Sequence, residues 1–296
     1  MTEAFAARAG GGGFGTRLQH AVEERGRLCV GIDPHEFLLG SWGLPNTAAG
    51  AGEFGLRVVE AAAGRVGVVK PQIAFFERFG AAGFTALESV LGAARDAGLL
   101  VIADVKRGDV GTTLEAYAKA WLDEGSPLET DAMTVNPYQG FDSLAAALDL
   151  AERLGKGLFV LAATSNPEST SIQTARRAQG SQLGETVAGG IANRAVAWNA
   201  DHTRGEFGSV GVVLGGTVDF DRLGVDLPSL GQTPRTPVLA PGFGHQGAEF
   251  ARIRETFGEA TESVIVNVSR SVLAAGPDGI AAAIDRHTAE LENALS

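Results

Sequence analysis

Short apolar runs rich in β-branched residues alternate along the chain with longer segments in which Ala, Leu, Glu and Arg recur at helical spacing. The short runs predict strands at 28–33, 67–71, 99–105, 132–136, 157–164, 209–216, 237–241 and 263–268. The longer ones predict helices at 53–65, 83–98, 143–155, 185–200, 247–258 and 278–295. The strands are apolar on both faces, as parallel strands are when helices cover them. Eight of them in alternation with helices predict a single (β/α)8 TIM barrel, since eight is a closing number and no linker divides the chain. Polar stretches at 166–184 and 218–237 interrupt the pattern after the fifth and sixth strands, where long loops serve as lids or carry short helices.

Composition narrows the function classes. The chain has 296 residues and a formal net charge of −11, which argues against a nucleic-acid surface. Cys29 is the only cysteine, so neither a disulfide framework nor a thiolate metal cluster is expected, and its place among Leu28 and Val30 reads as a small buried hydrophobe. No apolar run reaches the roughly 18 residues of a membrane span, and the N-terminus lacks the apolar region of a secretory signal. A cytoplasmic enzyme is the expectation. Gly10 to Gly13 follow no strand and precede no Gly-Lys-Ser/Thr, so residues 1–13 read as a flexible leader rather than a phosphate loop. The five histidines (His20, His35, His202, His245 and His287) show no ligand spacing, and no metal is expected.

In a barrel the C-terminal strand ends face the active site. Those ends carry Asp33, Lys70, Asp104 with Lys106, Asn136, Ser165, Gly215 with Gly216, Gln246 and Arg270. Strand alternation puts Asp104 and Lys106 on one face, roughly 6–7 Å apart along the chain, and Asp109 on the following loop. A salt-bridge network closing the barrel mouth is the structural alternative, but buried ion pairs are weak evidence of stability. The seventh strand runs into 240-APGFGHQGAEF-250, with Gly242, Gly244 and Gly247, and the eighth ends in 267-NVSRSVL-273. Loops after strands 7 and 8 commonly build phosphate sites, and Arg270 would add a fixed bidentate cation.

These residues resemble the orotidine 5′-phosphate decarboxylase family, in its longer bacterial subgroup. The pattern D-x-K-x-x-D-[IV]-x-x-T is met by Asp104, Lys106, Asp109, Val110 and Thr113. Further likeness lies in 30-VGIDPH-35, 69-VKPQIAFFE-77, 136-NPYQGFDS-143, 163-ATSNPE-168 and 241-PGFGHQG-247, and the resemblance runs from about Phe14 to Leu273. Ala248 departs from the family's commoner second glycine, so its methyl is expected to crowd the phosphate loop slightly; Val110 replaces the commoner isoleucine.

The resemblance implies decarboxylation of orotidine 5′-phosphate to UMP without cofactor, by a homodimer with shared sites. Lys106 would protonate C6 of the pyrimidine, Asp104 would sit beside the departing carboxylate, and Lys70 would continue the chain of charges. Asp109 and Thr113 would reach into the partner's site. Asp33 and Lys70 would hold the ribose hydroxyls, Ser165 the pyrimidine edge, and Gln246 with Arg270 the phosphate. Arg107 has no assigned role, and an interface ion pair is expected for it.

Two other readings of the scaffold exist. A metal-assisted sugar-phosphate decarboxylase or aldolase shares the third-strand motif but carries an acidic residue at the end of the second strand, where this chain has Lys70. A non-catalytic phosphate-binding barrel would be expected to lose the lysine–aspartate alternation.

Overall fold

The computed structural model describes residues 12–180, 183–244 and 247–296. The strands are β1 (Leu28–Ile32), β2 (Val68–Pro71), β3 (Leu100–Arg107) and β4 (Ala132–Val135), then β5 (Gly157–Ala163), β6 (Val210–Leu214), β7 (Val238–Pro241) and β8 (Val264–Val268). All pair in parallel and in chain order, and β8 closes on β1 to complete the predicted barrel. The longer helices are α1 (Phe14–Arg25), α2 (Ala48–Ala62), α3 (Gly80–Asp96), α4 (Gly111–Leu122), α5 (Ala145–Leu154), α6 (Val187–His202) and α7 (Ile280–Leu295). Local chemistry sets several of their ends. Thr47 and Thr186 accept the amides of Gly50 and Gly189 at the starts of α2 and α6, and Gly155 stops α5 in a left-handed turn.

The segment expected as one helix over 247–258 is instead a 3-10 turn (Phe250–Arg252), a short helix (Ile253–Phe257) and a second 3-10 stretch. Its first residues are taken by a bridge between Phe243 and Ala248, which draws the chain back toward β7. Of the longer helices, two escaped the pattern, α1 and α4. The first lies directly after the glycine run, and the second directly after the charged motif. Most of the expected leader, residues 1–11, lies outside the described residues, but Phe14 already belongs to a helix.

Two apolar layers share the strands. Inside the barrel, Cys29, Val68, Ile102, Ala132, Phe159 and Ile265 pack with Phe14 and Leu18 of α1. Phe14 and Phe159 meet edge to face at 6.0 Å between centroids. Two glycines make room for them: a Cβ on Gly157 would lie 2.3 Å from the Phe14 ring, and one on Gly211 2.5 Å from Phe159. Arg17 ties α1 down by donating to the Gly155 carbonyl at 2.9 Å and pairing with buried Asp131 at 3.2 Å. Burial pushes the Cys29 thiol up to about 12, in keeping with the inert hydrophobe expected there. Among the described residues no helix is long and apolar enough to cross a membrane.

Candidate active site

At the C-terminal mouth, the inward faces of the strands change from apolar to charged within one or two residues. On β3, Ile102 belongs to the interior layer, and Asp104 and Lys106 follow it. Simple alternation does not bring Lys106 into place. The β3–β4 register shifts between Ala103 and Arg107, and Lys106 has a φ of 48°, the only positive value among the described non-glycine residues. Such a conformation stores roughly 1–3 kcal/mol and persists only where its surroundings enforce it. Thr134 on β4 does so, accepting the Lys106 amide at 2.9 Å and donating to Asp104 Oδ1 at 3.0 Å. A bulge of this kind re-aims a side chain.

Asp104 is the hub. Lys106 Nζ lies 2.5 Å from its Oδ1, and Lys70 Nζ, from the end of β2, 2.8 Å from its Oδ2. With its amide nitrogen oriented toward Asp104, Gln72 donates to the same Oδ2 and to the Asp104 carbonyl, each at 2.9 Å. Burial would raise the Asp104 carboxyl, but the two ammonium groups outweigh it and hold the group at about 2. Burial would likewise pull Lys70 down; Asp104 and Asp33 reverse this and hold its ammonium above the ordinary lysine value. Lys70 is 5% exposed and so is fixed, whereas the Lys106 side chain is 45% exposed and reaches into the open cavity.

The cavity has a volume of about 420 Å³, in the range of small-molecule sites. Leu161, Val213 and Leu239 line its floor, and Phe75 and Phe243 stand at its sides. Asp33, Ser165, Gly242 and Arg270 line it as expected. Asp33 accepts from Ser269 Oγ at 2.5 Å through Oδ2, while its buried Oδ1 has no hydrogen-bond partner among the described residues. Arg270 makes no carboxylate pair among the described residues. The charged walls thus hold three cations (Lys70, Lys106 and Arg270) against two carboxylates (Asp33 and Asp104), an excess suited to an anionic ligand.

Other expected residues lie elsewhere. Asp109 and Thr113 are outside this cavity; Asp109 accepts the Val110 amide on the loop, and Thr113 is exposed at the start of α4. Gly244 is not among the residues lining the cavity, and a Cβ on it would meet Ser271 at 2.9 Å. Gln246 falls outside the described residues. Asn136 does not face the cavity: its side chain accepts the Tyr138 amide and shapes the loop after β4. Gly215 and Gly216 are also not walls of it; Gly216 clears space for Phe243, 2.8 Å from where its Cβ would be.

The Ala248 methyl lies toward Gly216 in the apolar layer and is not among the residues lining the cavity. Arg107 pairs within the chain, with Glu77 at 2.8 Å, and its guanidinium lies over Tyr117. Gln72, Thr134, His35 and Asn267 also line the cavity, unanticipated from the sequence. For Thr134 a signal existed, a lone hydroxyl two residues after inward-facing Ala132. Gln72 sits beyond the end of β2, where alternation gives no guide. Among the described residues no group of three or more His, Cys, Asp or Glu side chains could hold a metal ion.

Comparison with known proteins agrees with this geometry. The family model described as "Orotidine 5'-phosphate decarboxylase / HUMPS family" matches residues 26–284. A curated orotidine 5′-phosphate decarboxylase of Streptomyces coelicolor is 47% identical over 286 residues, covering 96% of this chain and 98% of its own. One from Corynebacterium glutamicum is 47% identical over 266 residues, covering 90% and 92%. Among solved structures, a Streptomyces avermitilis protein assigned as an orotidine 5′-phosphate decarboxylase superposes with a TM-score of 0.88 at 46% identity, covering 96% of each chain. The OMP decarboxylase of Leishmania donovani follows at 0.74 and 30%, covering 95% of this chain and 98% of that one.

Proposed function

The chain belongs to the orotidine 5′-phosphate decarboxylase family, and we propose that it converts orotidine 5′-phosphate to UMP, the decarboxylation that completes pyrimidine nucleotide synthesis, with no cofactor. The observation that carries the reading is the Lys70–Asp104–Lys106 array, in which one buried carboxylate is held ionised between two ammonium groups.

The substrate's phosphate binds at Arg270 and the glycine loop of Gly242 and Gly244, with Gln246. Asp33 and Lys70 take the ribose hydroxyls, and Ser165 the pyrimidine edge. The substrate carboxylate then lies beside Asp104, whose ionised state disfavours the bound ground state electrostatically. The C6–carboxylate bond breaks, carbon dioxide leaves, and the electron pair remaining on C6 takes a proton from the Lys106 ammonium. A preorganised cation at the point where negative charge develops is the dominant source of stabilisation in such a site. The strained Lys106 backbone and the Thr134 hydroxyl aim that ammonium, and Lys70 keeps Asp104 charged throughout. Phosphate binding, remote from C6, supplies energy that closes the loops over the site.

The same reading makes the protein a cytoplasmic homodimer, each chain one barrel domain. Asp109 and Thr113 lie outside their own cavity, on the loop and helix that follow the catalytic strand. Exposed Val110, Tyr117 and Tyr138 stand after β3 and β4, where an apolar surface would be covered by a second subunit. The metal-assisted alternative finds no support at the end of β2: the Lys70 ammonium, 2.8 Å from Asp104, occupies the place where that chemistry needs an oxygen ligand.

The test is loss of orotidine 5′-phosphate absorbance with purified protein in excess EDTA. Turnover is expected; no turnover, or turnover only on adding magnesium, overturns the proposal. For the shared site, Lys106→Ala and Asp109→Ala proteins, each inactive alone, should regain activity when mixed and allowed to exchange subunits.

A further inference from the structure

His35 is a titratable cavity-lining side chain to which the reaction above gives no role. It follows Asp33 and Pro34 on the loop after β1, and its amide donates to the Asp33 carbonyl at 2.7 Å, making a tight turn. Arg78 secures that turn, reaching the Pro34 carbonyl at 3.5 Å and Asn46 Oδ1 at 2.7 Å. The imidazole packs on Phe75 at 4.1 Å between centroids and near Phe37 at 5.2 Å, so its plane is set before any ligand arrives. Neither ring nitrogen has a hydrogen-bond partner among the described residues. A polar ring held against Phe75 and unpartnered at its edge is suited to meet a ligand.

We infer that His35 is a further substrate-binding residue, whose imidazole N–H hydrogen-bonds the phosphomonoester end of the nucleotide beside Arg270. The inference rests on the proposed function. Three charged side chains bear on the ring, Asp33, Arg270 and Arg78. Burial lowers the imidazole below its ordinary value; Asp33 opposes this, and the two guanidinium groups reinforce it. In either protonation state the imidazole keeps at least one N–H to donate. Arg270 supplies the charge, and His35 supplies direction.

Two substitutions separate the ring's packing from its nitrogens. His35→Phe keeps an aromatic ring against Phe75 and deletes the donor; His35→Gln keeps a donor and shortens the packing surface. A hydrogen bond to a charged acceptor accounts for about a tenfold effect. In His35→Phe the KM for orotidine 5′-phosphate should rise about tenfold with kcat within about twofold of the parent, and inorganic phosphate measured by calorimetry should bind about tenfold more weakly. His35→Gln should recover both to within about threefold. Unchanged KM and phosphate affinity in His35→Phe would overturn the inference, as would a His35→Gln protein impaired more than His35→Phe, the order that a role in packing alone predicts. Phosphate calorimetry reads the inference even if the unmutated protein fails to turn over, an outcome that removes the proposed reaction and not the phosphate contact.

Discussion

At the N-terminal mouth of the barrel, α1 inserts Phe14 and Leu18 beneath Phe159, and two glycines clear the space they fill. At the C-terminal mouth the same strands end in Asp33, Lys70, Asp104 and Lys106 around an open cavity. The first end is closed by packing, with the Arg17–Asp131 pair holding the plug in place. The second carries an array of charges around a cavity, holds one lysine in a strained backbone and leaves a carboxylate oxygen of Asp33 without a hydrogen-bond partner among the described residues. Strand ends of one barrel can diverge in this way because each side chain layer contacts only its neighbours, so the closed end can support strain that the open end could not sustain alone.

Opposed substitutions break the comparison most sharply. Lys106→Ala removes the proton donor and should lower kcat by about 10⁴-fold or more, the upper range for loss of a general acid that also serves electrostatically. Its thermal midpoint should stay near the parent's, because the side chain is half-exposed and packs little. Phe14→Ala should do the reverse. It opens a cavity under Phe159, destabilising the fold by about 3–5 kcal/mol in chemical denaturation, while kcat/KM of the folded protein stays within about twofold. A Phe14→Ala protein that lost activity in proportion to stability would show the two ends to be coupled.

The barrel was legible because its signal is repeated: eight apolar runs, each misread only at its edges by a residue or two. The charged motif was legible because Asp104, Lys106 and Asp109 are close in sequence and costly to bury. What could not be read was geometry set by non-local contacts. The bulge that turns Lys106 inward depends on Thr134, 28 residues away in sequence, and no pattern within β3 announces it. Gln72 reaches Asp104 from beyond its strand, and Asn136, a strand-end polar residue by position, turns to its own loop. The α1 plug was hidden for another reason. Its apolar residues face a barrel interior formed by distant strands, and a glycine run precedes it, so its beginning resembled the end of a leader.

The smaller test concerns the charge array itself, through acid. The folded-state value of Asp104 is about 2, below its ordinary 3.8, so its ionisation stabilises the fold at neutral pH and that contribution fades as pH falls through about 2. The size is about 2 kcal/mol, since a shift of one unit corresponds to about 1.4 kcal/mol. Lys70 adds no slope in this window. Its folded value lies above the ordinary one, so its contribution is complete at low pH and is lost only as pH rises through the alkaline range. Asp104→Asn keeps the shape and hydrogen-bonding outline but cannot titrate, whereas every other carboxylate titrates alike in both proteins. The stability of the parent relative to Asp104→Asn, from denaturant titrations between about pH 5 and pH 2, should therefore fall by about 2 kcal/mol on acidification. Parallel curves would mean that Asp104 is not held ionised by the two lysines, and the open end of the barrel would lose the lysine–aspartate array that sets it apart from the closed one.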